Sequence, residues 1–267
     1  MAAPDDQSET LYANPFRRRL SEGRPLIGAW AMLNSTAAIE GLSWAGFDWL
    51  LIDGEHSPVE LGDVLSHLRA MEASPTVAIT RIADNDPVLF KRHLDIGART
   101  IMVPMIQSAG EAASAVQAMR YPGAGQRGFA AMHRASRYGH IRDYVQRAGE
   151  GLFLIGQVET PAALSQVSES AAVEGMDAVF FGPGDLSAHM GKLGHPADPE
   201  ISEAIVRGAR QVQAAGKFAG ALAASADQAR LFLSAGLDFV SVGSDCGLLF
   251  SGADRLAQEF LAQARRR

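Results

Sequence analysis

Short runs of consecutive apolar residues alternate along the chain with longer stretches in which apolar side chains recur every three or four positions. The short runs lie at 26–30, 47–52, 76–80, 99–103, 152–158, 178–181, 218–222 and 239–242. Because they are apolar on successive residues, they read as parallel strands covered on both faces. Helices are predicted between them at 35–45, 58–71, 87–96, 109–119, 161–168, 199–215, 226–234 and 255–264. Pro58, Pro87, Pro161 and Pro199 suit first-turn positions, where a missing N–H costs nothing. Eight strand–helix pairs predict an α/β protein, a single-domain (β/α)8 TIM barrel over residues 16–267. An open doubly wound sheet competes, but no Gly-x-Gly-x-x-Gly turn follows the first strand. No repeat beyond the strand–helix alternation is evident. One long interruption, 121–151, with a short helix near 141–148, is expected to be functional, as loops of that size in compact domains usually are.

Composition removes several classes of function. The 267 residues are 47% hydrophobic and 20% charged, enough apolar material for a sizeable core. Lysine and arginine total 24 against 30 acids, a formal charge of −6, which disfavours a nucleic-acid partner. The single cysteine, Cys246, excludes an internal disulfide and a thiolate zinc site, and reads as a buried structural thiol. No run approaches the ~20 apolar residues that span a bilayer, so no membrane partner is expected. Residues 1–15 carry Asp5, Asp6 and Glu9 without an apolar run, which reads as a flexible arm rather than a secretory signal. A cytoplasmic protein is expected. Arg17, Arg18 and Arg19, like Arg265, Arg266 and Arg267, read as solvated charge.

In a barrel, chemistry sits at the C-terminal ends of the strands. Four strand ends carry polar residues there: Asp53-Gly54-Glu55-His56, Thr80-Arg81, Gln157-Val158-Glu159-Thr160 and Gly182-Pro183-Gly184-Asp185. Glu159 and Asp185 follow consecutive strands, and two such carboxylates would repel unless a cation lay between them. Few protein oxygens with open positions suit Mg²⁺, Mn²⁺ or Co²⁺ rather than a closed zinc site. Taken singly, each acid has a plainer explanation: Asp185 as a helix cap, Glu159 as a solvated residue before a helix. His56 lies three residues after Asp53, which can hold one ring nitrogen and leave the other for proton exchange; otherwise it is a surface histidine. Arg81 closes a strand, where its guanidinium can neutralise a developing enolate oxygen or pair with a barrel-end acid. Gly182-Pro183-Gly184 allows backbone N–H groups to approach an anion at a helix start. His133, His140, His189 and His195 have no metal-ligand spacing and read as surface or loop residues. Met102, Met105, Met119 and Met132 read as filler. Val242-Gly243-Ser244-Asp245 is a weak phosphate-loop candidate, lacking a glycine-rich partner after strand seven.

These motifs, with Gly46-Phe47-Asp48-Trp49-Leu50-Leu51-Ile52 ahead of the first, resemble the HpcH/HpaI family of class II pyruvate aldolases from about residue 14 to 255. The resemblance implies Glu159 and Asp185 as ligands of a divalent metal that chelates pyruvate and stabilises its enolate. It implies His56, oriented by Asp53, in proton transfer, directly or through a water on the metal, and Arg81 on the enolate oxygen. It places Gln157 beside the ketoacid and the backbone of Gly182, Pro183 and Gly184 on its carboxylate. Trp30 and Leu222 would shape the pocket, and Asp95 would reach a neighbouring subunit's site. The family is typically hexameric, with the last helix exchanged between subunits. The loop at 120–137, with Arg127-Gly128, matches the family's long loop near the site. Ile82 stands where relatives often have proline, and Phe129-Ala130-Ala131-Met132-His133 is bulkier than the family's small-residue run.

The implied reaction is reversible aldol cleavage of a 4-hydroxy-2-oxo acid to pyruvate and an aldehyde. Lys91, Lys192 and Lys217 are the only lysines, and none ends a strand, so no Schiff-base residue competes. The alternatives are a related metal-enolate lyase or decarboxylase acting on oxaloacetate or an acyl-CoA thioester, and a non-catalytic dicarboxylate-binding barrel.

Overall fold

The computed structural model describes residues 12–265. Eight parallel strands close in sequential order into a barrel. They are β1 (Leu26–Ala31), β2 (Trp49–Asp53), β3 (Val77–Arg81), β4 (Thr100–Val103), β5 (Phe153–Val158), β6 (Ala178–Phe181), β7 (Phe218–Leu222) and β8 (Phe239–Ser244). All eight overlap the apolar runs predicted from sequence. The (β/α)8 expectation is borne out and the doubly wound alternative is not.

The surrounding helices are α1 (Pro15–Leu20), α2 (Thr36–Ser43), α3 (Leu61–Met71), α4 (Pro87–Asp95), α5 (Ala109–Met119), α6 (Tyr144–Arg147), α7 (Pro161–Ser165), α8 (Val167–Ala171), α9 (Pro183–His189), α10 (Pro199–Ala214), α11 (Ala226–Ser234) and α12 (Asp245–Ala264). Pro87, Pro161 and Pro199 open their helices as expected. Pro58 does not: α3 begins at Leu61, behind a Glu60–Asp63 capping box. The predicted helix at 161–168 is two short ones. The last helix starts ten residues earlier than predicted, because Ser244 caps it by accepting from the Gly247 N–H at 3.0 Å.

Strand side chains alternate in direction, so one parity of each strand fills the barrel and the other meets the helices. The inward set includes Leu26, Trp30, Trp49, Leu51, Val77, Ile79, Met102, Phe153, Ile155, Phe180 and Phe239. Below them α1 closes the N-terminal end, which the sequence reading left as an arm and solvated charge. Residues 1–11 of that arm lie outside the described residues, but Tyr12 and Asn14 are buried. Asn14 caps α1, accepting from the Phe16 and Arg17 N–H groups at 2.9 and 3.2 Å. Phe16 then meets Phe153 and Phe239 edge-on, each at 5.3 Å between ring centroids. Arg17 pairs with Asp177 at 2.8 Å and Arg19 donates to the Asp48 carbonyl at 2.8 Å, so only Arg18 of that triplet is exposed.

A repeat missed in the sequence governs the turns into the strands. Gly46-Phe47-Asp48, Gly175-Met176-Asp177 and Gly236-Leu237-Asp238 precede β2, β6 and β8, each glycine left-handed with φ of 99°, 96° and 88°. Each aspartate accepts a backbone N–H of the neighbouring strand: Ile27 at 2.9 Å, Leu154 at 2.8 Å and Ala219 at 2.8 Å. The device sets strand register at the N-terminal face. The long segment between α5 and β5 packs on the same face around Ala135, Tyr144 and Ala148. By contrast, α12 leaves Leu248, Leu249, Phe250, Leu256, Phe260 and Leu261 more than half exposed.

Replacing Phe16 with alanine removes the aromatic floor of the barrel and is expected to cost about 3–5 kcal/mol in denaturant unfolding. A loss under about 1 kcal/mol would show that α1 does not support the core.

Candidate active site

The inward parity that fills the barrel with apolar side chains turns polar at the C-terminal end. Counting on by two from Leu51, Ile79 and Ile155 gives Asp53, Arg81 and Gln157. Asp53 and Arg81 are register partners across β2 and β3, so a carboxylate and a guanidinium are built in side by side. Arg81 Nε donates to Asp53 Oδ1 at 2.9 Å, and its Nη2 and Nη1 pair with Asp53 Oδ1 at 2.8 Å and Glu55 Oε2 at 2.6 Å. The guanidinium lies over the Trp30 ring, 4.3 Å from its centroid. Its side chain is only 3% exposed, so two acids and one aromatic face hold it in a single orientation. Ile82 contributes as well: its N–H donates to the Met102 carbonyl at 3.1 Å, a ladder bond that proline could not make.

Glu159 sits just beyond β5 and is buried. Its Oε1 accepts from Gln157 Nε2 at 2.7 Å and its Oε2 from the Met105 N–H at 3.2 Å. Met105, read from sequence as filler, is a left-handed residue with φ 53° whose backbone, not its side chain, serves the site. Gly182 passes so close that a Cβ there would overlap the Glu159 carboxylate. Burial, then the Glu55 charge, pushes the Glu159 carboxyl up to about 7, with Asp185 adding to the rise and the Met105 N–H and Arg81 opposing it. Burial likewise raises Glu55, against Arg81 and His56, with Asp53 and Asp185 adding to the rise.

Asp185 is exposed in the first turn of α9, behind Gly182, Pro183 and Gly184. First-turn N–H groups have no carbonyl partner within a helix, which leaves that turn suited to an anionic ligand. Leu222 is half-buried against the barrel interior, beside the same mouth as Trp30.

The expected Asp53–His56 pair differs. Asp53 contacts His56 through the backbone N–H, at 3.3 Å, and the carboxylate nearest the imidazole is Glu55, 3.7 Å from Nε2. Glu55 is therefore the group that sequence reasoning passed over, although it lies between two residues it singled out. Asp95, expected to reach a neighbouring subunit's site, ends α4 at the opposite face of this barrel, paired with Arg127 at 2.7 Å. His133 is buried there, 3.7 Å from Asp95 and accepting from the Ser136 N–H at 3.2 Å, rather than on the surface. His140, His189 and His195 are exposed as expected, and Cys246 is half-exposed rather than buried. The weak phosphate-loop candidate is filled by its own acid: Asp245 accepts the Met32 and Leu33 N–H groups at 2.9–3.0 Å.

The donor set fits a cation. Glu159 is a buried carboxylate raised by two neighbouring acids, and buried Gln157 Oε1 and Asp53 Oδ2 have no hydrogen-bond partner among the described residues. No cluster of three or more His, Cys, Asp or Glu side chains suited to a metal is present among the described residues, so Glu159 and Asp185 would leave most positions open. Lys192 is paired with Asp198 and Glu200, and Lys217 donates to the Met176 carbonyl at the far face.

A closed barrel with an acidic, arginine-braced mouth at its C-terminal strand ends belongs to the barrel enzymes. Residues 26–252 match the model of the HpcH/HpaI aldolase/citrate lyase family, and the chain is a member of that family. It is 46% identical over 252 residues to the 4-hydroxy-2-oxo-heptane-1,7-dioate aldolase of Shigella sonnei, covering 94% of this chain and 96% of that one. The same named aldolase of Salmonella dublin is 45% identical, over 94% and 95% of the two chains. The solved structure of a HpcH/HpaI aldolase/citrate lyase family protein from Burkholderia cenocepacia J2315 superposes with a TM-score of 0.88 at 38% identity, covering 93% of this chain and 99% of that one. The protein is a carbon–carbon lyase, a class II aldolase. Class II aldolases of this family generally depend on a divalent metal.

The raised Glu159 has a consequence for metal-free protein. Its folded value, about 7, lies above the ordinary carboxyl value of 4.5. The stabilisation is therefore complete below pH ~4.5 and is lost as pH rises to ~7, by about 3 kcal/mol in total. Denaturation of chelator-treated protein at pH 5 and 7.5 is expected to show this fall, and Glu159→Gln to abolish it. An unchanged fall in Glu159→Gln would assign the effect to other groups.

Proposed function

We propose that the enzyme cleaves a 4-hydroxy-2-oxo acid reversibly to pyruvate and an aldehyde, with Glu159 and Asp185 holding Mg²⁺, Mn²⁺ or Co²⁺. The names of its relatives favour 4-hydroxy-2-oxo-heptane-1,7-dioate as substrate. Breaking its C3–C4 bond gives pyruvate and succinic semialdehyde. The observation that carries the reading is the buried Glu159 carboxylate among other acids, a mouth short of positive charge.

When bound, the cation supplies Lewis acidity, withdrawing electron density from the 2-oxo group so that a weak base suffices. Gln157 holds Glu159 in place by its amide N–H. The first turn of α9, at Gly184 and Asp185, offers N–H groups to the substrate carboxylate, and Pro183 fixes where that turn begins. Trp30 and Leu222 form apolar walls that limit water beside the reacting carbons. His56, its Nε2 3.7 Å from Glu55, takes the proton of the 4-hydroxyl as the C3–C4 bond breaks. The electron pair passes into the enolate of pyruvate, and a proton returned to C3 completes the product. Arg81, braced by Asp53 and Glu55, places fixed positive charge beside the enolate oxygen. Asp53 sets the His56 backbone as well as Arg81.

No helix among the described residues is long and apolar enough to cross a membrane. The exposed apolar side chains of α12 support assembly with further copies of this chain, as a hexamer by family likeness with that helix exchanged. Asp95, remote from its own mouth, then serves a neighbouring one. Neither the thioester lyase nor the silent binder gains support at the mouth.

Chelator is expected to abolish cleavage and Mn²⁺ to restore it. His56→Ala should lower turnover by about 10²–10⁴-fold. Asp185→Ala should stop exchange of pyruvate methyl protons with deuterated solvent. Full turnover in chelator, with borohydride trapping of pyruvate on the protein, would contradict the proposal.

A further inference from the structure

The long α5–β5 segment carries a buried histidine that the chemistry at the mouth does not use. His133 caps a one-turn 3-10 helix, Arg134–Ser136. The cap is reciprocal. His133 Nδ1 accepts from the Ser136 N–H at 3.2 Å, a donor it shares with its own carbonyl, and the His133 N–H donates to Ser136 Oγ at 3.4 Å. Ser136 Oγ also accepts the Gly139 N–H at 3.2 Å, and the His133 carbonyl accepts the Tyr138 N–H at 2.8 Å. Together these bonds hold three left-handed residues in a row, Arg137, Tyr138 and Gly139, with φ of 49°, 56° and 84°. The two that are not glycine are strained, and such strain persists only where the surroundings impose it.

The protonation state of the ring follows from the cap. A nitrogen that accepts an N–H carries no proton, so the neutral imidazole keeps its proton on Nε2. Nε2 lies 3.4 Å from the Tyr121 hydroxyl and 3.7 Å from Asp95 Oδ1. A second proton has only Nδ1 to occupy, where it meets the Ser136 N–H. A hydrogen bond is then replaced by two opposed donors. His93, the other buried histidine on α4 nearby, is built the opposite way. Its Nδ1 faces the Leu89 carbonyl at 2.8 Å, an acceptor that a charged ring retains.

The groups packed around His133 divide over that second proton. Asp95, at the end of α4, attracts it, but Asp95 Oδ1 is already 2.7 Å from Arg127 Nη2. The fully buried Arg127 guanidinium repels it. Tyr121 and Tyr144 stay neutral because burial raises both hydroxyls, and the Tyr144 ring meets the imidazole edge-on at 5.4 Å between centroids. Arg134 is turned to the Ile96 carbonyl and Glu72. Burial outweighs the attraction of Asp95 and, with Arg127, holds the ring below the ordinary imidazole value of 6.5, although the His133 and Ala130 carbonyls favour the charge. The folded turn therefore binds its proton less readily than a released one. Its hold is complete above pH ~6.5 and weakens as pH falls toward the folded value.

We propose that His133 is a proton-operated latch: the neutral ring fastens residues 131–141 to the N-terminal face of the barrel, and its protonation in mild acid releases them. Release is local, because this turn is anchored through the small cluster of Ala135, Tyr144 and Ala148, separate from the barrel core.

Amide hydrogen exchange of the full-length protein with Mg²⁺, read by mass spectrometry and corrected for intrinsic rates, tests this. Peptides over residues 131–141 are expected to lose about three- to tenfold in protection between pH 7.5 and 5.5, tenfold being the limit for one imidazole with an ordinary value of 6.5. Peptides from the eight strands should not follow. His133→Asn keeps an oxygen that can accept the Ser136 N–H but cannot gain a proton, so the segment should stay protected at pH 7.5 and show no fall at pH 5.5. His93→Gln should leave the fall in place. Four results would overturn the proposal: no loss over 131–141 in the wild type, an equal loss in His133→Asn, disappearance of the loss in His93→Gln, or a loss shared by the barrel strands.

Discussion

The mouth of this barrel depends on one buried guanidinium. Arg81 bridges Asp53 and Glu55 while lying on the Trp30 ring, and all three of its nitrogen positions are engaged. Acids taken out of water at this depth are tolerated only when paired. Without Arg81, Asp53 and Glu55 would have to protonate or unfold the strand end around them. With it, they remain available to place His56, through its backbone on one side and its imidazole on the other. Glu159 lies outside this arrangement, held by an amide and a backbone N–H but by no full charge. Burial, then the Glu55 charge, raises its carboxyl to about 7, and the proposed function sets a cation beside it.

Barrel closure makes the arrangement possible. The same alternation that sends Leu51, Ile79 and Ile155 inward sends Asp53, Arg81 and Gln157 inward two residues later. The apolar core therefore ends in a polar layer with no change of backbone. Register supplies the rest, pairing Asp53 with Arg81 across neighbouring strands. The opposite face is organised differently, by left-handed glycines, strand-entry aspartates and an aromatic floor under Phe16.

Much of this was legible because strands of a closed barrel are short, apolar on both faces and separated by helices. Strand ends were therefore easy to find, and so were Asp53, Arg81, Gln157 and Glu159. Less legible were features that depend on distant packing. The α1 floor hides in a sequence with three consecutive arginines, which look like solvent-facing charge until Asp177 and the Asp48 carbonyl are found beside them. Met105 matters through its N–H, which no side-chain reading could foresee. The beginning of α12 is as apolar as a strand end and gave no cap signal beyond Ser244. Glu55 was passed over for a different reason: the spacing of Asp53 and His56 suggested a direct pair, whereas the turn at Gly54 points the intervening acid toward the imidazole instead. The Gly-x-Asp repeat was visible in the letters, but its meaning required the register of neighbouring strands.

The most direct test of the central claim is anomalous diffraction from crystals grown with Mn²⁺. A manganese peak is expected in contact with carboxylate oxygens of both Glu159 and Asp185, at about 2.0–2.3 Å, with its remaining positions open to solvent or ketoacid. Manganese ordered elsewhere, with only solvent between those two carboxylates, would contradict it.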